Sequence, residues 1–172
     1  MGVTEKQPTG MVTFLMAGVE GPAPLWEGAP EEMFPALPWL RATFVHFVAL
    51  NGGVMRAGQG SSDSFVVVFG YASDAVACAL YLQLEPLDPF ALRIGLHSVD
   101  TRSAERGDLV AMNGAAWLRD IACGGQTVLS PATASLAADR LPPGASLKDL
   151  GDHRDGQCTP VELCHPGLRK YT

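Results

Sequence analysis

The chain alternates between short unbroken apolar runs and longer stretches in which apolar residues recur every three or four positions. Met11–Ala17 is one such run, the pattern of a strand buried on both faces. Gly18–Pro30 is rich in Gly and Pro and predicts a loop. Glu31–Asn51 spaces Phe34, Leu37, Leu40, Phe44, Phe47 and Val48 as an amphipathic helix does, with full helix expected after Pro38 and a stop at Asn51, Gly52 and Gly53. Val54–Gly58 and Ser64–Gly70 predict a hairpin across a polar turn. Ser73–Leu84 predicts a second helix with Ser73 as N-cap and Pro86 as stop. Phe90–Val99 predicts a strand, Thr101–Asp108 an exposed polar loop, and Met112–Ala122 a third helix ended by Gly124 and Gly125. Thr127–Leu129 predicts a short strand and Pro131–Asp139 a short helix. Ser146–His153 and Pro160–His165 predict late strands, with Asp155 and Gly156 in the turn between them.

The order β-α-β-β-α-β predicts an α+β fold with a ferredoxin-like core. Its antiparallel sheet carries helices on one face, and a helix and short strands follow. With 172 residues the chain is expected to be one domain, 1–172, with a polar tail over 1–10. A hydrophobic fraction of 47% and a charged fraction of 17% exclude a disordered chain. The net charge of -6 removes any global electrostatic reason to bind nucleic acid or anionic lipid, so neither is expected as a partner. Met1–Gly10 lacks the apolar run of a secretory leader, and Pro35, Pro38, Arg41 and His46 interrupt the longest apolar stretch. The four cysteines, Cys78, Cys123, Cys158 and Cys164, have no metal-ligand spacing. A cytoplasmic protein with reduced thiols is the expectation, with Cys78 as a small buried apolar group.

Read from residue type alone, the chemical candidates have plain structural uses. Asp63 in its polar turn is a solvated turn acid, Asp108 a loop acid, and Asn113 an N-cap of the third helix. Trp117 belongs in a core or an interface. His46 and His97 lie within apolar elements as structural histidines, and His153 and His165 lack zinc spacing. Neither GxGxxG nor GxxxxGK[ST] occurs, which removes the Rossmann and P-loop readings.

Four blocks nevertheless follow one another in a telling order. They are VTFLMAGVEGPAPLWE at 12–27, SSDSFVVVF with ASDAVACAL, LRIGLHS at 92–98, and MNGAAWLRDIACGGQTVLSPAT at 112–133. With the tail DLGDHR…PVELCHPGLR they resemble the class III adenylyl/guanylyl cyclase catalytic domain of actinobacterial type, over nearly the whole chain. The resemblance implies a dimer whose sites draw residues from both subunits, a nucleoside triphosphate substrate, and two divalent ions, Mn²⁺ or Mg²⁺. Those ions would help the 3′-hydroxyl attack the α-phosphate.

The same resemblance assigns roles residue by residue. The first metal carboxylate should stand two residues before Glu20, where this chain has Gly18. The second matches Asp63. Gln59 takes the place of a base-reading lysine, and Asp108 matches a base-reading acid, on a span to Asn113 two residues shorter than the family's. Asn113 matches the asparagine that orients the ribose, and Trp117 replaces an arginine that neutralises transition-state charge. Gly21 lies in the loop that would cradle the phosphates, and Pro22 removes one N–H from it.

These departures imply a degenerate domain in intracellular cyclic-nucleotide signalling, homodimeric, with little or no cyclase activity alone. Any Mn²⁺ or Mg²⁺ site would be weak, because one carboxylate is missing. The alternatives are a weak cyclase completed by a heterodimeric partner, and an interaction module without ligand. On this reading Gly18→Asp should restore a metal carboxylate beside Asp63.

Overall fold

The computed structural model describes residues 11–19, 30–55, 64–85, 91–100, 107–150 and 160–168. Its elements are β1 (Met11–Val19), α1 (Pro30–Leu50), β2 (Val54–Met55), β3 (Ser64–Phe69), α2 (Ala72–Leu84), β4 (Leu92–Asp100), α3 (Gly107–Ile121), β5 (Thr127–Leu129), α4 (Pro131–Ala137), β6 (Ser146–Asp149) and β7 (Val161–Cys164). The seven strands form one sheet in the order β2-β3-β1-β4-β5-β7-β6. The first six predicted elements are all present, so the α+β fold and its βαββαβ core stand. The sheet is mixed rather than wholly antiparallel. The α3 crossover brings β5 back parallel to β4, while the other paired strands are antiparallel.

Strand alternation divides the core between the two faces. Leu15 and Ala17 of β1, Phe65, Val67 and Phe69 of β3, and Leu92, Ile94 and Leu96 of β4 share the larger core with α1 and α2. Phe44 of α1 stacks on Phe65 with ring centroids 4.1 Å apart. Cys78 is fully buried there, and burial pushes its thiol up to about 12. On the other face Phe14, Val66 and Ala115 form a smaller cluster, and Leu118, Ala122 and Val128 another. The first two helices thus lie on one face as expected, and α3 covers the opposite one.

Local chemistry accounts for most boundaries. Gly52 adopts a φ of 78°, Gly52 N–H donates to Ala49 O, and Gly53 N–H donates to Val48 O at 2.9 Å, which closes α1 where the Asn-Gly-Gly stop predicted. Ser130 caps α4, its Oγ accepting from Thr133 N–H at 3.3 Å. Other expectations fail. The first is the start of α1, which lies at Pro30 and not after Pro38. Ser73 is not an N-cap: α2 starts at Ala72 with Tyr71 as its N-cap, because Ala72 is drawn into the core. Asn113 is not an N-cap either. α3 begins at Gly107, not Met112, so Asp108 falls in its first turn, where an acid suits the helix dipole. Asn113 is then interior to the helix. The predicted turn at Asp155 and Gly156, the Pro86 stop and the loop at 101–106 lie outside the described residues.

A buried run of hydroxyls ties three elements together. Thr13 Oγ1 and Ser98 Oγ are 2.7 Å apart, Ser98 Oγ and Thr133 Oγ1 2.8 Å, and Ser130 Oγ and Thr133 Oγ1 3.0 Å. Thr133 also donates to Leu96 O, which gives the ladder a terminal acceptor.

The closest approach of helix to sheet lies on the opposite face. A Cβ at Gly95 would run into Ala115 O and the Arg119 backbone N, so α3 rests directly on β4 at that point. One residue before Ala115, Gly114 lies against the His97 ring. His97 Nδ1 is buried without a partner among the described residues, and burial lowers the pKa of the ring.

Two predictions follow from this seam. Gly95→Ala should cost about 3 kcal/mol in urea unfolding, as overpacking against rigid backbone does, whereas Gly70→Ala, with open space around it, should change stability by less than about 0.5 kcal/mol. A similar loss at both positions would refute the backbone seat. For His97 the charged form is disfavoured in the fold, so the unfolded chain takes up a proton first as pH falls below the ordinary histidine value of 6.5. Stability is therefore fully present above that value and is lost on acidification below it. The urea midpoint of the native chain should drop more between about pH 8 and about pH 5 than that of His97→Gln. Parallel pH profiles would remove the assignment.

Candidate functional site

The carboxyl end of β1 is where the resemblance places the metal centre. Gly18 is buried at its next-to-last position. Its register partners are Ser64 at the start of β3 and Arg93 in β4. Even-numbered residues of β1 face α3, and so do odd-numbered residues of β4, so Gly18 and Arg93 look toward that helix. Asp63 directly precedes Ser64 in the chain. Asp63, Gln59 and Gly21 themselves lie outside the described residues.

What occupies the space above Gly18 is an arginine stem. A Cβ at Gly18 would sit 3.3 Å from Arg119 Cδ and 3.8 Å from Arg119 Nε. The placement follows from the helix seat. Arg119 N lies on Gly95, Gly95 is the register partner of Met16, and Gly18 is the next β1 position on the same face. Arg119 is mostly buried, and its Nε donates to Asp120 Oδ1 at 3.1 Å with a second contact from Nη2 at 3.0 Å. Asp120 is exposed, at 58%. Beside this stem, Arg93 Nε is buried and has no hydrogen-bond partner among the described residues. Sequence reading missed both arginines. Neither belongs to a recognisable motif, and the signal that could have found them is spacing: Arg93 and Gly95 share a face, and Arg119 lies one turn beyond Ala115.

The other candidates lie elsewhere on α3. Trp117 is partly buried and packs with Ile121 against Leu118, Ala122 and Val128, toward β5. That is the core role expected of it on residue type. Asn113 stands four positions before Trp117 and therefore on the same helix flank. Arg119, two positions after Trp117, falls on the other flank, over Gly18. Within one chain the positions to which the resemblance gives the ribose and transition-state roles thus stand away from the position to which it gives the metal. Asp108, in the first turn of α3, is farther along the helix still.

A two-metal centre does not fit these residues. Gly18 offers no ligand, and the volume a carboxylate would fill lies against the Arg119 stem. Among the described residues no group of three or more His, Cys, Asp or Glu is placed to hold a metal. A guanidinium beside a divalent ion opposes it, by about 4 kcal/mol per pair of unit charges at about 4 Å and an effective dielectric of about 20. Cys78, Cys123 and Cys164 are free thiols. No described helix is long and apolar enough to cross a membrane.

The comparisons with known proteins agree with this architecture. No protein-family model matches the chain. An uncharacterized protein of Mycobacterium tuberculosis, Rv0891c, is 44% identical over 177 residues, covering 99% of this chain and 61% of its own length. A second from the same organism, Rv1359, is 42% identical over 168 residues, covering 92% of this chain and 67% of its own. The chain thus spans 61% of the length of the first curated relatives it matches. Among solved structures, an adenylate cyclase of Trypanosoma brucei in its monomeric state superposes with a TM-score of 0.73 at 18% identity, covering 97% of this chain and 93% of that one. An adenylate/guanylate cyclase/hydrolase of Silicibacter pomeroyi gives 0.68 at 22% identity, with coverage of 89% and 94%. The non-canonical dimeric guanylyl cyclase domain of the RhoGC fusion protein of Blastocladiella emersonii gives 0.71 at 14% identity, with coverage of 93% and 98%. The chain therefore belongs to the family of the uncharacterized mycobacterial protein Rv1359 and has the fold of the class III adenylate/guanylate cyclase catalytic domain.

Proposed function

We propose that this chain is a cyclase-type domain that does not turn over nucleoside triphosphate by itself and acts as a dimeric element in nucleotide signalling. One observation carries the reading: the Arg119 stem packs over Gly18, at the position where the fold's chemistry calls for a metal carboxylate. The loss is compounded at Trp117, which packs into the α3–β5 cluster in place of a cation aimed at a phosphate. Removing such a cation costs roughly 10²–10⁵ in rate. A dimer is supported by the placement of Asn113 and Trp117 on the helix flank away from Gly18, since a complete site then needs two chains. It is also supported by apolar side chains left exposed on α1 and β2, Val45, Leu50 and Val54, with Leu50 at 66% and Val54 at 65%.

A second reading keeps some enzymatic use. Asp63 and Asn113 are retained in the sequence, so a partner domain bringing the missing acid and the arginine would complete one composite site. Mn²⁺ or Mg²⁺ would then be held mainly by that partner.

The purified protein with Mn²⁺ and ATP or GTP is expected to yield no cyclic nucleotide above background, and robust product from the protein alone would overturn the proposal. Sedimentation at high micromolar concentration is expected to show a homodimer; a monomer throughout that range would remove the dimer. The composite reading predicts activity on mixing with a complementary cyclase domain, abolished by Asp63→Ala.

A further inference from the structure

α1 is apolar on its outward side as well as on its inward one. At about 100° per residue, Leu40, Phe44 and Val48 turn to the core, and the opposite arc is centred on the exposed Ala42 and Ala49. Trp39 and Leu50 flank that arc on one side and Val45 on the other, exposed at 43%, 66% and 42%. Val54, exposed at 65%, carries the surface onto β2, the outermost strand at that end of the sheet. A helix that is apolar all round belongs inside a protein. Together these side chains leave a patch of roughly 400 Å² uncovered, the size of the largest patches on monomers, which are often functional. Its charges are few and engaged within the chain. Arg41 lies over the Phe65 ring, 5.8 Å from the centroid, and His46 meets Phe47 edge-on at 5.5 Å. The acids of α1, Glu31 and Glu32, stand in its first turn, away from Ala42. For a chain of net charge -6, two copies can meet here without acid against acid at their centre.

The spacing fits a second copy of the same chain. A two-fold contact sets each position against another, reciprocally. With antiparallel helices crossing at Ala42, position 39 of one shares a layer with position 45 of the other, and the reverse. Trp39 and Val45 stand three residues to either side of Ala42 and are almost equally exposed. The small side chain between them lets the helices approach. Each of the two layers then joins a large ring to a β-branched side chain. With its rim, such a contact would bury about 1,000 Å² in all, the low end for a specific interface, so the pair would be reversible.

We infer that α1 carries a two-fold, antiparallel contact between copies of this chain, with Trp39 of each packed beside Val45 of the other. The inference rests on the dimeric reading above and names a face for it. α1 and α3 lie on opposite faces of the sheet. A chain paired through α1 therefore keeps its α3 flank clear for whichever domain completes a site there.

Sedimentation equilibrium of the full chain, from low to high micromolar concentration, tests it. Val45→Glu and Trp39→Lys, both at exposed positions, should each weaken the contact roughly a hundredfold, because a change in a two-fold contact enters it twice. At the highest concentration the weight-average mass of either variant should be about half that of the native chain. An equimolar mixture of the two variants should regain association. One layer then sets the new ammonium beside the new carboxylate, and the other keeps the native pair. Leu136→Glu, on α4, alters a leucine exposed at 41% outside the patch and should leave the mass unchanged. Added salt should hold or tighten the association, since two chains of charge -6 repel less when screened. Native mass in Val45→Glu overturns the inference and leaves the dimeric reading to another face. A native chain that is monomeric throughout removes both. A mixture that stays monomeric overturns the antiparallel pairing, and loss of mass in Leu136→Glu overturns the specificity of the face. A monomeric native chain that floats with phosphatidylcholine vesicles, and ceases to do so in Val45→Glu, assigns the face to lipid and overturns the inference as well.

Discussion

The seat of α3 on Gly95 is the contact from which the functional face follows. Helices normally stand off a sheet by the thickness of their side chains, but here Ala115 O and Arg119 N come down to the backbone of β4. That approach fixes both the height and the rotation of the helix. It sets Gly114 on the His97 ring, aims Trp117 and Ile121 at Val128, and leaves Arg119 with one place to go, along the helix edge and over Gly18. A Cβ at Gly95 would raise the whole helix, and the arginine would lose its position over β1.

On the proposed reading, the glycine at position 18 is more than the loss of a ligand. Had an acid simply disappeared, the space would stand open and restoring the acid would restore its chemistry. Here the volume is bounded by a guanidinium stem, with a second guanidinium beside it in register. A carboxylate returned to that position meets a cation within contact distance. Salt-bridge formation inside the chain then competes with metal binding, and the intramolecular partner is already in place. Sequence comparison sees Gly for an acid; the structure adds what now lies against it.

Much of this architecture was legible in the chain. The unbroken run Met11–Ala17, the β-branched strands at 64–69 and 92–100, and the Asn51-Gly52-Gly53 stop all do what residue chemistry says, because each is a local decision between burial and turn. The misses are equally physical. Gly107 and Asp108 look like loop residues, yet the first turn of a helix tolerates both, so α3 started five residues earlier than its apolar period. Ser73 looks like a cap, but burial of Ala72 outweighs one side-chain hydrogen bond. The hydroxyl ladder from Thr13 to Ser98 to Thr133 joins residues 85 and 35 positions apart, and no local pattern announces it. The candidate site was legible only as a set of departures at Gly18 and Trp117. Arg93 and Arg119 were invisible because their meaning is relational: each matters through a glycine on another element.

The distribution of the site over α3 also constrains how such a domain can work. Positions 113 and 117 and position 119 lie on flanks separated by rotation about one helix, so the proposed reading, in which both flanks serve one site, calls for a second chain. On the proposed dimeric reading the second flank is lent by the partner. Where that flank bears a tryptophan packed against β5, as here, the partner brings an apolar ring and no cation, which is the physical content of the proposed loss of turnover.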